Sequence, residues 1–233
     1  MLNKNFQSVL KQRLFEVLIQ STQDLNAESY LIGGFVRDHL LGREKAKDID
    51  IVAVGSGIEL AKAIKQKLPN AKPIQIFKSY GTAMLQWEGI TIEFVGARKE
   101  SYSRESRNPK IFSGTLEDDQ KRRDFTINSI YSDLDGNIFD PFNGKKDLEN
   151  GLIKFVGDPE KRIKEDYLRI LRYFRFFALY SKNDHQLEIK KIIKKNIVGI
   201  KKLSSARLID ELKKTYKSNC FIKLCEVEFS YEI

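Results

Sequence analysis

The chain has 233 residues, 41% of them hydrophobic and 31% charged, with a formal net charge of +9. That is enough chain and apolar content for one or two globular domains with a buried core, and it excludes a disordered polyelectrolyte. No apolar run approaches the roughly 20 residues of a membrane helix, Met1–Arg13 is amphipathic with no cleavable leader pattern, and Cys220 and Cys225 have no partner set for zinc or a disulfide framework. These features predict a protein of the reducing cytoplasm with no membrane span.

Residues 5–23 carry apolar side chains at helical spacing, Phe6, Val9, Leu10, Leu14, Val17 and Leu18 among them. Tyr30–Ile32 is a short strand that runs into Gly33-Gly34, and 35–41 is a helix stopped by Gly42. A buried strand is predicted over 48–54 and a helix over 58–68. Further strands are predicted over 74–77, 82–87 and 91–97, the last two joined by a turn at Glu88-Gly89. From 98 to 120 the chain turns polar and reads as a long loop. Phe125–Tyr131 reads as a helix with Asp124 as its N-cap. Beyond Asp158-Pro159 strand signals cease, and 160–217 reads as helical throughout. The whole is an α+β class chain, with a domain boundary expected between 145 and 160.

The charge is not spread evenly. Residues 160–217 hold 17 Lys/Arg against 7 Asp/Glu, so the rest of the chain is close to neutral. A solvated helical surface has this composition. So does a track for a polyanion backbone, whose counterions are released on binding.

Chemistry first shows in Lys47-Asp48-Ile49-Asp50-Ile51-Val52. On a strand, residues two apart share a face, so Asp48 and Asp50 point together while Ile49 and Ile51 bury behind them. Two carboxylates aimed at one point are unfavourable without a cation. Paired magnesium ions, about 4 Å apart, supply it and activate a hydroxyl for phosphoryl transfer. Upstream, Gly33-Gly34-Phe35-Val36-Arg37-Asp38 joins a strand to a helix, where backbone amides can approach a triphosphate and Arg37 can clamp it. The same run also reads as a plain glycine turn with Arg37 paired to an acid. Glu93 lies inside the apolar strand Thr91–Val95; a third carboxylate facing the metal or an exposed strand face both account for it.

Together these blocks resemble the tRNA nucleotidyltransferase/poly(A) polymerase family, the bacterial and eukaryotic class within the DNA polymerase beta-like superfamily. The resemblance rests on Gly33–Asp38, Leu41-Gly42 and Asp48–Ile51. It continues through Arg122-Arg123-Asp124-Phe125-Thr126-Ile127-Asn128, then Asp140-Pro141-Phe142 with Gly144 and Asp147-Leu148. Glu165–Phe176 and Leu203–Arg207 with Glu211-Leu212 complete it. It implies a nucleotidyltransferase head over 1–150 and a helical neck and partial body over 151–233. The family continues into helical body and tail domains, and from Asn219 the match lapses. The implied activity is template-independent addition of CMP and AMP to the 3′ end of tRNA, with CTP and ATP as substrates and two Mg2+ ions. On this resemblance Asp48 and Asp50 bind the metals; Glu93, read from its strand alone, stands as a third candidate catalytic acid. Gly33, Gly34 and Arg37 contact the phosphates. Arg123, Asp166, Arg169, Arg172 and Arg175 complete the nucleotide site, and Asp124 and Asn128 hold the sugar or local backbone.

A helix wheel places Tyr167, Ile170, Leu171, Phe174, Phe177 and Ala178 on one arc and Asp166, Arg169, Arg172 and Arg175 on the other. Asp166 and Arg169, three apart, can then read one planar base. The carboxylate accepts from the exocyclic amine of cytosine or adenine, and the guanidinium donates to the acceptors beside it. Uracil and guanine present a carbonyl to Asp166 and are rejected. A poly(A), A-adding or CC-adding relative shares these motifs, and a silent RNA-binding protein could keep the fold without the chemistry.

Overall fold

The computed structural model describes residues 9, 12–43, 48–103, 106–182, 184 and 186–217; the expectations for the start of the first helix, for Cys220 and Cys225 and for Asn219 onward lie outside them. The chain divides into two compact units, one of residues 1–123 with 127–145, the other of 124–126 with 146–233.

The first unit is built on a seven-stranded mixed sheet. In chain order it contains α1 (Arg13–Asp24), β1 (Glu28–Ile32), α2 (Gly34–Leu40), β2 (Asp48–Val54), α3 (Gly57–Lys67), β3 (Gln75–Phe77), β4 (Thr82–Trp87) and β5 (Ile90–Gly96). A hairpin of β6 (Arg98–Ser103) and β7 (Ser106–Ser113) follows, then α4 (Leu116–Lys121), β8 (Tyr131–Ser132) and β9 (Ile138–Phe139). The sheet order is β3-β4-β5-β2-β1-β8-β9. Among the described strand pairs only β2 and β5 run parallel, and Asp48, Asp50 and Glu93 lie on this central pair. Leu14 and Leu18 of α1, Phe35 and Val36 of α2 and Leu60, Ala61 and Ile64 of α3 share one buried cluster with Ile49, Ile51, Leu85, Ile92 and Phe94 of the sheet. Each helix thus contributes one apolar stripe, and that of α1 includes Leu14 and Leu18 of the spacing read over 5–23. At the start of α3, Ser56 accepts from the Glu59 amide at 3.2 Å and fixes the first turn. Gly57 then lets α3 approach the sheet, since a Cβ there would meet Val95 and Gly96 backbone at 2.8–2.9 Å.

Two predictions for this region are corrected. The polar stretch 98–120 is no loop: it forms the two-stranded hairpin β6–β7 and then α4. Its polarity reflects a ribbon outside the main sheet, and α4 begins with a full capping box between Thr115 and Asp118. The helix expected over 125–131 is absent. Phe125 bridges Phe155, Thr126–Asn128 is a single 3-10 turn, and Tyr131 enters β8. Polar side chains here bond elsewhere, the Ser129 hydroxyl to the Gln120 carbonyl and the Thr126 hydroxyl to Asp147, which opposes a helix.

The second unit continues through α5 (Gly144–Glu149), whose first two residues belong to the first, to α6 (Pro159–Glu165), α7 (Leu168–Tyr180), α8 (Leu187–Asn196) and α9 (Ser205–Lys217). Its core is aromatic. Phe125 packs on Phe155, Tyr173 and Phe176 with ring centroids 5.0, 6.3 and 5.4 Å apart. The helical reading of 160–217 is met by separate helices: α6 and α7 are parted at Asp166-Tyr167, α7 ends at Tyr180, α8 starts at Leu187, and a 3-10 segment runs over 197–202. Asp158 caps α6 through the Lys161 amide at 2.7 Å with Pro159 in the first turn. No helix among the described residues is long and apolar enough to cross a membrane.

Candidate active site

Strand register assembles the acidic end of the first unit. Asp50 lies opposite Ile32 of β1 on one side and Glu93 of β5 on the other. Asp48 and Asp50 are two apart on β2 and share its face. Ile49 and Ile51, between and beyond them, are 3% and 0% exposed and anchor the opposite face in the core. Asp48 and Glu93 are exposed and Asp50 is half-buried. Of the two accounts of Glu93, the exposed strand face is therefore met, and the residue still stands beside Asp50.

The chain leaves β1 through Gly33, whose φ of +65° suits glycine, directly into α2. A Cβ on Gly33 would sit 3.5 Å from the Asp50 carboxylate, and one on Gly34 would sit 3.6 Å from the Arg37 guanidinium. The glycine turn thus lies flush with an acid on one side and a base on the other. Arg37 is 7% exposed. It donates to Asn128 Oδ1 at 2.6 Å and to Asp38 at 3.0 Å, so Asn128 fixes Arg37 from 91 residues away.

Arg123 is the second cation. It donates to Asp119 at 3.0 Å and to the Tyr131 hydroxyl at 3.1 Å, and Tyr131 in turn donates to Asp119. Arg122 also binds Asp119, at 2.5 Å. Burial opposes ionisation of Asp119, and Arg123 and Arg122 outweigh it, holding this fully buried carboxylate below the usual range. Asp119 and Tyr131 were not anticipated as site residues. Their signal was present in part, because Asp119 stands three and four residues before Arg122 and Arg123, the spacing of helical ion pairs.

These charges converge on Asp50. Burial pushes its pKa up to about 6; Glu93 and Asp48 add to the rise, while Arg123 and Arg37 oppose it. Among the described residues no group of three or more acidic, histidine or cysteine side chains is close enough to hold a metal ion. A magnesium site fits nonetheless. Magnesium takes one or two carboxylates and completes its shell with water and substrate phosphate oxygens, and the Asp48/Asp50 pair supplies that ligand count.

In the second unit Asp124 is no helix cap; its carboxylate pairs with Arg172 at 2.5 Å. Burial works against the charge of Arg172, and Asp124 and Glu211 overcome it, holding the guanidinium protonated. Glu211 of α9 is 2% exposed and receives Arg175 at 2.6 Å. Asp166 sits in the break between α6 and α7, where it accepts from the Leu168 amide at 3.1 Å and from Arg207 at 2.7 Å. The predicted polar arc of α7 requires a correction at Arg169. This residue is 6% exposed, because Glu165 at 2.9 Å and the Arg162 carbonyl at 2.6 Å satisfy its guanidinium inside the unit. The buried stripe is accordingly rotated to Arg169, Ile170, Tyr173, Phe174, Phe176 and Ala178.

The family model for the poly A polymerase head domain matches residues 29–154, the stretch that carries both glycines, both aspartates, Glu93 and Arg123. The chain belongs to the tRNA nucleotidyltransferase/poly(A) polymerase family. It is 38% identical over 199 residues to the CCA-adding enzyme of Lactobacillus helveticus, covering 84% of this chain and 48% of that protein. It is 35% identical over 212 residues to the A-adding tRNA nucleotidyltransferase of Aquifex aeolicus, covering 88% and 25%. A crystal structure of a tRNA nucleotidyltransferase complexed with a primer tRNA and an incoming ATP analog superposes with a TM-score of 0.76 at 29% identity, over 92% of this chain and 60% of that one. The chain thus spans about half the length of the CCA-adding relative it matches.

Proposed function

We propose that this chain carries the catalytic and nucleotide-reading parts of a tRNA nucleotidyltransferase that adds CMP and AMP to the 3′ end of tRNA. The observation that supports it most is the placing of Asp48 and Asp50 on one strand face, against a glycine turn that abuts Arg37, with Arg123 acting on Asp50. The similarity to CCA-adding enzymes over more than four-fifths of the chain supports the choice of tRNA, CTP and ATP.

Asp48 and Asp50 are the residues to hold a magnesium pair, which when bound supplies positive charge to the attacking 3′ hydroxyl and the departing pyrophosphate. Gly33 and Gly34 let backbone come close to the triphosphate, and Arg37 and Arg123 balance its charge. Asn128 and Asp38 hold Arg37 in place, as Asp119 and Tyr131 hold Arg123. Both guanidiniums are therefore positioned before substrate arrives, which reduces the reorganisation left for the reaction. In the helical unit Asp166 accepts the exocyclic amine of cytosine or adenine, and Arg169 donates to the ring acceptors beside it once it exchanges its contacts with Glu165 and the Arg162 carbonyl for the base. Arg172 and Arg175 offer N–H donors to phosphate, their charge largely balanced by Asp124 and Glu211. Asp124 and Glu211 fix their directions.

The test is incorporation of labelled CTP and ATP, together and singly, into tRNA lacking its CCA end in the presence of magnesium. Extension by CCA is expected, with none for Asp48→Ala or Asp50→Ala. Parental rates in both variants defeat the proposal, and extension by A alone would reassign the chain to an A-adding role.

A further inference from the structure

Resting on the reading of Asp166 as the base acceptor, we infer that Arg207 is a specificity-positioning residue that clamps this carboxylate in its amine-accepting orientation. Asp166 lies in an extended break, φ −152° and ψ 107°, between the end of α6 and the start of α7. Helical geometry therefore does not dictate where its side chain points. Two contacts do. The Leu168 amide donates to Oδ1 at 3.1 Å and Arg207 donates to Oδ2 at 2.7 Å. One contact is local; the other comes from the first turn of α9, 41 residues further along the chain.

A carboxylate offers about four lone-pair sites, two to each oxygen. With one site on each oxygen engaged, the carboxylate plane is fixed and acceptor capacity remains for an incoming amine. Asp has two side-chain torsions, and a single backbone contact leaves the second oxygen free to swing. Discrimination of an amine from a carbonyl depends on a fixed acceptor, because a mobile one turns away from the wrong base at little cost. Arg207 therefore contributes to selectivity without touching the nucleotide. Its side chain is 46% exposed. Its removal leaves the aromatic core of the unit untouched and should not prevent folding.

The experiment measures single-turnover kcat/KM for CTP and UTP on tRNA lacking its CCA end, using the full chain, Arg207→Gln, Arg207→Lys and Asp166→Asn. Arg207→Gln is expected to lose at least about tenfold of the CTP preference, chiefly through slower CTP addition. Arg207→Lys should recover most of it, since an ammonium can still hold one oxygen. The thermal midpoint should hold across the series. Equal losses for both nucleotides, or unchanged preference in Arg207→Gln, overturn the role of Arg207. If Asp166→Asn has meanwhile lost its preference, the base-acceptor reading survives that failure. Full preference in Asp166→Asn overturns both.

Discussion

Asp50 carries the electrostatic conflict of the first unit. Its carboxyl titrates at about 6 in the fold against 3.8 as an ordinary aspartate, raised by burial and then by Glu93 and Asp48. Between those values the folded chain binds more protons than the unfolded one, so without metal its stability falls as pH rises through this window. Urea titrations in chelator at pH 4 and pH 7 should show that fall, and Asp50→Asn should flatten it. Asn removes the half-buried charge, so the variant should gain about 1 kcal/mol at pH 7 while losing more than about 100-fold in incorporation. Gly33→Ala tests the neighbouring turn. A side chain at φ +65° costs about 1 kcal/mol and places a methyl 3.5 Å from Asp50, so kcat/KM should drop at least about tenfold, as a steady-state assay will show. Asp48, Asp50 and the glycines were legible in the sequence because strand alternation and left-handed backbone follow from local rules. Arg169 was not. Its inward turn depends on Glu165 and a carbonyl on α6, partners that a wheel drawn for α7 alone does not contain.

Between elements, the pairing of α7 with α9 rests on charge buried beside an aromatic cluster. Glu211, 2% exposed, faces Arg175 at 2.6 Å and Arg172 at 4.0 Å, and Arg172 continues to Asp124. Removing the one acid leaves two partly buried guanidiniums short of a partner. Breaking such a pair on one side costs more than the pair contributes. Glu211→Ala should therefore lower the unfolding free energy by about 3 kcal/mol, read by urea denaturation. Glu211→Gln, which keeps a hydrogen-bond acceptor, should lose less. The helices α1, α2 and α3 and the core strands were readable because they present apolar side chains to one cluster. The hairpin β6–β7 was not, since it joins no strand of the main sheet and shows no clean alternation to read. Helix 125–131 failed for a related reason: Phe125 finds a β-bridge to Phe155 thirty residues away, and long-range pairing overrode local propensity.

For the molecule as a whole, the uneven distribution of charge decides what kind of surface each part offers. The +9 net charge belongs to residues 160–217, with 17 Lys/Arg against 7 Asp/Glu, while the rest of the chain is nearly neutral. Part of that positive charge is spent internally. Lys195 and Lys164 both bind Glu160, at 2.9 and 2.7 Å, and Arg172, Arg175 and Arg207 serve the acids already named. Lys191, Lys194 and Lys201 stand exposed. If this face tracks an RNA backbone, each phosphate contact releases condensed counterions and adds about 0.7–0.9 to the slope of log affinity against log salt. Replacing the three lysines by Gln should then lower that slope by about 2 to 3 for tRNA and weaken binding most at low salt. The melting temperature should hold, because exposed lysines on a helical surface contribute little to folding. An unchanged slope would show these lysines to be a solvated face, and the RNA contact would then have to lie elsewhere on the chain.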